Sequence, residues 1–180
     1  LAGLTDEISN AQDDVTFYEA EIQAQEELIA EIKRLEAEKK AAGQTDNPYT
    51  GGAFTWPCPS STRVTSDFGV RESPMAGAST NHRGIDIGAS YGSDIVAAAD
   101  GTVKSATYSS ACGNYVMIDH GGGLYTVYMH ASSLCVSAGD TVSAGDVIAK
   151  VGSTGISTGN HLHFGVSLNG SYVSPWSYFK

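Results

Sequence analysis

The first third of the chain repeats apolar residues with a helical period. They recur at alternating spacings of four and three, at Leu4, Ile8, Ala11, Val15, Tyr18, Ile22, Ile29 and Ile32, with Gln25 as the one polar member of the series. This spacing predicts a helix with the apolar seam of a coiled coil. Lys39 and Lys40 suit the last turn, Gly43 suits a C-cap, and Pro48 stops any continuation. We predict one helix over residues 1–42.

The apolar stripe of such a helix needs a partner, because an isolated helix cannot bury it. The sequence leaves three partners open: a second copy of the chain, another protein, or an antiparallel helix outside this chain. Residues 43–53, rich in Gly, Asn, Pro and Thr, form a linker.

From Phe54 the helical period disappears, and short β-type segments cut by glycine replace it. Two pairs of segments are separated by hairpin turn sequences, D-H-G-G-G at 119–123 and L-N-G-S at 168–171. The 21 glycines of the 180-residue chain agree with many turns. The predicted fold class is therefore all-β and antiparallel, a sandwich or a partly open barrel over residues 54–180, with a long N-terminal helix.

Charge restricts the classes of partner. The formal net charge is −10, and residues 1–44 carry eleven acids against four bases, so 4 − 11 = −7 of that charge lies in the predicted helix. An acidic chain is unsuited to nucleic acid, which needs a basic counter-surface. No apolar run approaches the roughly 20 residues of a membrane span, and no signal-peptide pattern is present. Because the chain begins at Leu1, we expect it to be a piece of a longer protein.

Four of the five histidines and one aspartate lie in three short clusters. His82 and Asp86 are four residues apart, His130 ends a predicted strand, and His161 and His163 form an H-x-H pair. Even spacings on a strand place side chains on one face. The pair alone is compatible with a metal site, a catalytic pair or a polar patch.

Taken together, the clusters have the composition of a catalytic zinc site. Such a site needs two nitrogen ligands and one carboxylate, with a fourth position left open, and the remaining imidazoles are then available for proton transfer. On a regular strand Tyr128 would share the face of His130, which leaves two interpretations open: Tyr128 contacts substrate, or it is an aromatic residue at the rim of the sheet. The fifth histidine, His120, is predicted to be structural or solvent-exposed because it lies at a hairpin turn.

Several ordered motifs resemble the lysostaphin-like (LytM-type) zinc metallopeptidases, which cut peptidoglycan peptides. They are W-P-C-P-S-S-T-R-V-T-S-D-F-G-V-R at 56–71, H-R-G-I-D-I-G at 82–88, the segment G-N-Y to M-H-A-S at 113–132, and G-N-H-L-H-F-G-V at 159–166. The resemblance spans residues 54–179. It departs from the family in an insertion, S-P-M-A-G-A-S-T at 73–80, which we expect to shape the substrate groove.

The resemblance implies the roles of five residues. His82, Asp86 and His163 would bind one Zn²⁺, and His130 and His161 would be the catalytic histidines. The substrate would be a peptidoglycan peptide, either a stem cross-link or a glycine-rich bridge, which implies an extracytoplasmic location.

An alternative function follows from the same resemblance. Some relatives of this fold have lost their metal ligands and activate other cell-wall hydrolases, often through a preceding coiled coil. All five expected site residues are present here, which favours the enzyme.

The cysteines leave one further question open. Cys112 and Cys135 flank a predicted hairpin and could form a disulfide in an exported protein, with Cys58 left over.

Overall fold

A long N-terminal helix, α1, spans Ala2–Ala41. The structure is a computed structural model that describes residues 2–43, 49–70 and 81–180, with the side chains of α1 from residue 19 onward apart from residue 21. The insertion predicted to shape the groove, at 73–80, lies outside the described residues. The predicted helix 1–42 agrees with α1 in position and length.

The β region contains one large antiparallel sheet and two smaller ones. The large sheet has eight strands in the order β1-β4-β12-β8-β7-β6-β10, with β13 paired to β12, while β5-β11-β9 and β2-β3 form the small sheets. The strands are β1 Val64–Ser66, β2 Gly69–Val70, β3 Asn81–His82, β4 Ile85–Gly88, β5 Asp94–Val96, β6 Gly101–Ser109, β7 Gly113–Asp119, β8 Leu124–Ala131, β9 Ser133–Leu134, β10 Thr141–Val142, β11 Val147–Lys150, β12 His161–Leu168 and β13 Ser171–Val173, followed by a 3₁₀ turn, Pro175–Tyr178.

The main core lies between the large sheet and the three-stranded sheet. Alternate residues of β12 and β4, such as Leu162, Phe164 and Ile87, pack there against Ile95 and Ile148 of the small sheet. The two predicted hairpins are present, since β7 pairs with β8 and β12 pairs with β13. The prediction of an antiparallel all-β sandwich with a long N-terminal helix is confirmed.

The other face of the large sheet is covered by α1. Ala24, Leu28 and Ile32 pack in one cluster with Met117 of β7 and Val127 of β8. Strands β7 and β8 are therefore buried on both faces, which explains why their sequences are nearly continuous apolar runs.

The helix thus has a partner that the sequence analysis did not consider, namely the sheet of its own chain. Of the predicted seam, Gln25 and Ile32 are buried, but the buried face also includes Ala24 and Leu28, which lie outside that seam. These spacings of one, three and four residues give the broad apolar face of a helix that packs on a surface, in place of the narrower seam of a coiled coil. A coiled-coil partner stays a prediction for the part of α1 before residue 19.

No disulfide joins Cys112 and Cys135, and all three cysteines are thiols. Cys112 belongs to the cluster under α1, whereas Cys135 is exposed and its amide bonds to Ile148 in the small sheet. The two residues therefore lie in different layers. Within the described ranges, no helix contains a stretch long and apolar enough to cross a membrane.

Replacing Ile32 with alanine tests the contact between α1 and the sheet. Ile32 is fully buried, so Ile32→Ala should lower the free energy of unfolding by about 2–5 kcal/mol in a denaturant titration. The exposed Arg34, which forms only a surface ion pair with Glu38, gives the control: Arg34→Ala should cost less than about 1 kcal/mol. Equal stability of the two variants would contradict the packing of α1 on the sheet.

Candidate metal centre and active site

The register of β12 against β4 brings two predicted ligands together. His163 lies opposite Asp86, and His161 lies opposite Gly88. Leu162 and Phe164 point into the core from the same strand, so the two histidines lie on the outer face of the sheet. The H-x-H pair therefore presents both imidazoles to one side of β12.

His82, the last residue of β3, completes a group of three. Its Nε2 lies 3.1 Å from Nδ1 of His163 and 3.3 Å from Oδ1 of Asp86, and Nδ1 of His163 lies 2.9 Å from the same oxygen. The three atoms thus form a nearly equilateral triangle.

The triangle has the dimensions of a face of a zinc coordination tetrahedron. Bonds of about 2.0–2.1 Å to zinc imply ligand–ligand edges of about 3.3 Å in tetrahedral geometry. Nδ1 of His82 lies 2.8 Å from the carbonyl oxygen of Asp67, so it carries the proton and directs the Nε2 lone pair toward the other two atoms. The three residues form a group able to hold a metal ion.

The carboxylate of this group is ionised at neutral pH. Burial alone would raise the pKa of Asp86, but its interactions with the adjacent His163 and His82 rings outweigh burial and hold that pKa well below its usual range. Asp86 is therefore available as an anionic ligand without losing a proton first.

A β-bulge places His130 beside this group. Between the pairs Asn114–Ala131 and Val116–Tyr128, the register of β7 and β8 shifts by one residue. His130, the extra residue, has φ of 65°, in the left-handed region that is uncommon outside glycine. Its ring lies 4.8 Å from the ring of His161, measured between centroids.

Backbone carbonyls orient both of these histidines. Nδ1 of His130 donates to the carbonyl of Thr154 at 3.0 Å, and Nδ1 of His161 donates to the carbonyl of Gly159 at 2.8 Å. In their neutral forms both rings therefore have an unprotonated Nε2. Burial, together with the nearby His161 and His163, lowers the pKa of His130 to about 3.

Comparisons with known proteins agree with this geometry. Residues 80–175 match the model of Peptidase family M23. The chain belongs to this family. M23 is a family of peptidases, so the predicted enzyme class and the lysostaphin-like resemblance are confirmed at the level of the family.

Individual relatives cover the same region. The DD-carboxypeptidase/endopeptidase Mpg of Neisseria meningitidis is 42% identical over 116 residues, which cover 64% of this chain and 27% of the relative. A zinc-containing peptidase from Vibrio cholerae aligns with a TM-score of 0.64 and 32% identity, covering 68% of this chain and 39% of that one. The catalytic domain of lysostaphin from Staphylococcus simulans aligns with a TM-score of 0.58 and 30% identity, covering 64% of this chain and 90% of that one. The chain spans about a quarter of the length of the curated relatives it matches.

The predicted substrate contact of Tyr128 is not supported in this M23 domain. Tyr128 is fully buried, its ring packs against Phe164, and its hydroxyl accepts the amide proton of Ala98 at 2.9 Å. The prediction assumed a regular strand, but the bulge turns His130 to the outer face while Tyr128 stays on the core face. His120 is structural, as predicted, with ring nitrogens 2.7 Å from the carbonyl of Asp100 and from Thr126 Oγ1.

Sequence reasoning missed the groups that hold the histidines in place. The carbonyls of Asp67, Thr154 and Gly159 leave no trace in a sequence, since any residue supplies a carbonyl. Gly84, in contrast, is visible in the sequence as a signal, because a glycine inside a β motif indicates close approach of another group. A Cβ there would lie 2.7 Å from Nε2 of His163 and 2.6 Å from the carbonyl oxygen of Phe164.

A groove of about 680 Å³ opens beside the metal centre. It begins at Asp86 and His161 and extends past β1 toward the loops around Ser60, Ser90 and Asn160. Its walls are mainly polar, so an extended peptide backbone would find hydrogen-bond partners there.

Removing the hydroxyl of Tyr128 separates a core role from a substrate role. Tyr128→Phe leaves the amide of Ala98 without its acceptor, so the free energy of unfolding should fall by about 1–3 kcal/mol. The kcat/KM for peptide cleavage should stay within about twofold of the original. The control Tyr108→Phe, at an exposed tyrosine, should change neither quantity. A large loss of kcat/KM at unchanged stability would restore the substrate contact.

Adding a methyl group at Gly84 tests the packing behind His163. Gly84→Ala should displace the His163 ring and weaken metal binding by about tenfold or more, as loss of ligand support does, in a competition titration with a zinc indicator. Gly52→Ala is the matched control, because a Cβ at Gly52 would meet no atom within 4 Å. Undiminished metal affinity in Gly84→Ala would show that the ring tolerates the displacement.

Proposed function

We propose that this chain is a zinc-dependent endopeptidase that hydrolyses peptides of bacterial peptidoglycan. The observation that carries the proposal is the triangle of His82, Asp86 and His163 ligand atoms beside two imidazoles whose Nδ1 protons are fixed by carbonyls. The V. cholerae neighbour described as zinc-containing and the N. meningitidis endopeptidase support the metal and the reaction.

His82, Asp86 and His163 would hold the zinc ion through Nε2, an Oδ and Nδ1. When bound, zinc lowers the pKa of a coordinated water to about 7 and polarises a carbonyl. His130 and His161 offer a free Nε2 on the same side of the sheet. One of them would accept the proton of the attacking water on Nε2 and pass it to the leaving amine nitrogen. The other would donate a hydrogen bond to the oxyanion in its imidazolium form, with the second proton taken up from solvent.

The substrate we propose is the stem cross-link, in preference to a glycine-rich bridge. The relative named as a DD-carboxypeptidase/endopeptidase supports a bond between D-amino acids. Cleavage of cell-wall peptides would require the site to act outside the cytoplasm.

The division into a helix at 1–42, a linker at 43–53 and a catalytic unit at 54–180 also stays a proposal, with one qualification. Because α1 covers apolar side chains of the large sheet, the catalytic unit needs the helix for stability. The non-catalytic alternative has less support, because such a module has no need for an assembled ligand set beside two oriented imidazoles. A coiled-coil partner, either a second copy or another protein, is proposed only for the helix before residue 19.

The metal requirement is tested on purified cell-wall sacculi. The full chain loaded with one equivalent of zinc should release soluble peptides, and a chelator should abolish the release. Restoring zinc should recover it. Equal release with and without chelator would overturn the metal mechanism, and no release from the zinc-loaded chain would overturn the proposed substrate.

Two substitutions on β12 divide the roles within the H-x-H pair. His163→Ala removes a ligand, so zinc content measured after dialysis should fall well below one equivalent. His161→Ala should keep zinc near one equivalent and lower kcat by about a hundredfold or more. His120→Ala, outside the site, is the control for loss of an imidazole and should retain zinc. Loss of zinc in His161→Ala would reverse the assignment.

A further inference from the structure

The groove beside the metal centre contains one cation among its described lining residues. Seven of these residues are serines or threonines, and the charged ones other than His161 are Asp86 and Arg63. Hydroxyls are suited to a peptide backbone but do not by themselves select a charged group. Among the described lining residues, Arg63 is therefore the side chain that offers a permanent positive charge to an anionic group.

Hydrogen bonds fix the backbone of Arg63 against β4. Its carbonyl accepts the amide proton of Gly88 at 3.0 Å, and its own amide donates to Oγ of Ser61 at 3.2 Å. The hydroxyl of Ser61 in turn donates to the carbonyl of Gly88 at 2.6 Å. The guanidinium thus extends from a fixed point on the wall of the groove.

The guanidinium lies in the same groove as Asp86 and His161. Gly88 pairs with His161 across β4 and β12, and a Cβ on Gly88 would lie 3.9 Å from Nη1 of Arg63. Cγ2 of Thr65 would lie 2.9 Å from the same Cβ. The guanidinium therefore lies beside position 88, on the face of the sheet that carries His161.

The charge of Arg63 is available to a ligand. Arg34 and Arg83 pair with Glu38 and Glu26, but no carboxylate among the described residues lies within 4.0 Å of the Arg63 guanidinium. Arg63 is also exposed. In a chain of net charge −10, an anionic peptide would be repelled unless a local cation received it.

We propose that Arg63 binds a carboxylate of the substrate peptide, in the part of the groove over β4 and β1, and so selects anionic cell-wall peptides. A guanidinium binds a carboxylate through two parallel hydrogen bonds, which a neutral amide cannot replace. Stem peptides have such groups at two sources, the C-terminal carboxyl and the carboxyls of the D-glutamyl and diamino acid residues. This inference rests on the proposed function for its substrate class, but its binding test does not require cleavage.

The test measures binding and cleavage separately in the full zinc-loaded chain. The probes are two L-Ala–γ-D-Glu–diaminopimelate–D-Ala stems joined by a cross-link from the D-Ala carboxyl of one to the side-chain amine of diaminopimelate in the other, the same cross-linked peptide with a C-terminal amide, and the same cross-linked peptide with its internal carboxyls amidated. Kd is measured by calorimetry in a His130→Ala background, and kcat/KM is measured in the unmodified background. Each is compared with Arg63→Ala, Arg63→Lys and the remote control Arg34→Ala.

Arg63→Ala should weaken binding of the carboxylate peptide by about tenfold to a hundredfold, the usual worth of a hydrogen-bonded charge. Arg63→Lys should recover part of the affinity, and Arg34→Ala should change nothing. Amidation of the carboxyl that Arg63 binds should remove the effect of the substitution. The bound carboxyl is therefore the one whose amidation gives the parent and Arg63→Ala the same Kd. Zinc content and thermal unfolding should match the parent in every variant.

The outcomes separate the two proposals. If Arg63→Ala binds and cleaves all three peptides as the parent does, the inference is wrong and the proposed function stands. If binding depends on Arg63 and on the carboxylate but no peptide is cleaved, the inference stands and the proposed reaction is wrong. If the zinc-loaded parent neither binds nor cleaves any of the peptides, both are overturned.

Discussion

The site depends on the register of β12 against β4. His163 lies opposite Asp86 in that ladder, and a shift of one residue would turn both histidines of β12 into the core. The core prevents this shift, because Leu162, Phe164 and Val166 are fully buried on the opposite face. Hydrophobic burial on one side of the strand thus fixes the position of polar ligands on the other. A rigid sheet suits a metal centre because its ligands need little reorganisation.

Much of this arrangement could be predicted from the sequence. The even spacing of His161 and His163 placed both on one face of β12, and glycine-rich turns located the hairpins. His82 and Asp86 also meet, but not on the single extended segment that their spacing assumed, because they belong to β3 and β4 of different sheets. The prediction that side chains alternate regularly between the two faces was wrong in β8. There the bulge at His130 places two residues of β8 opposite a single residue of β7. A bulge depends on pairing with β7, so the local sequence of β8 cannot reveal it. The same bulge explains both results, a histidine in the site and a tyrosine, Tyr128, in the core.

The helix shows a different limit of sequence reasoning. Its apolar period indicated that the helix needed a partner, but not that the partner was a sheet. The evidence was in β7 and β8, whose apolar runs are too continuous for strands with one solvent face. An amphipathic helix and a strand apolar on both faces each lack a partner when considered alone. In the folded chain, the apolar face of the helix covers the second apolar face of the strands. A hydrogen bond from Tyr125 of β8 to Glu36 of α1 fixes their relative position.

The same outer face of the sheet carries both α1 and the metal centre, and this determines where a substrate can enter. Met129, opposite His163 in the ladder, belongs to the cluster under α1, and Arg83, next to His82, pairs with Glu26 of the helix. The helix therefore bounds the site on the side of β8. The groove extends the other way, over β4 and β1, and Arg63 lies on that open side. The guanidinium of Arg63 and the carboxylate of Asp86 thus line the same open side, where a local positive charge is the feature that would attract an anionic peptide to an acidic chain.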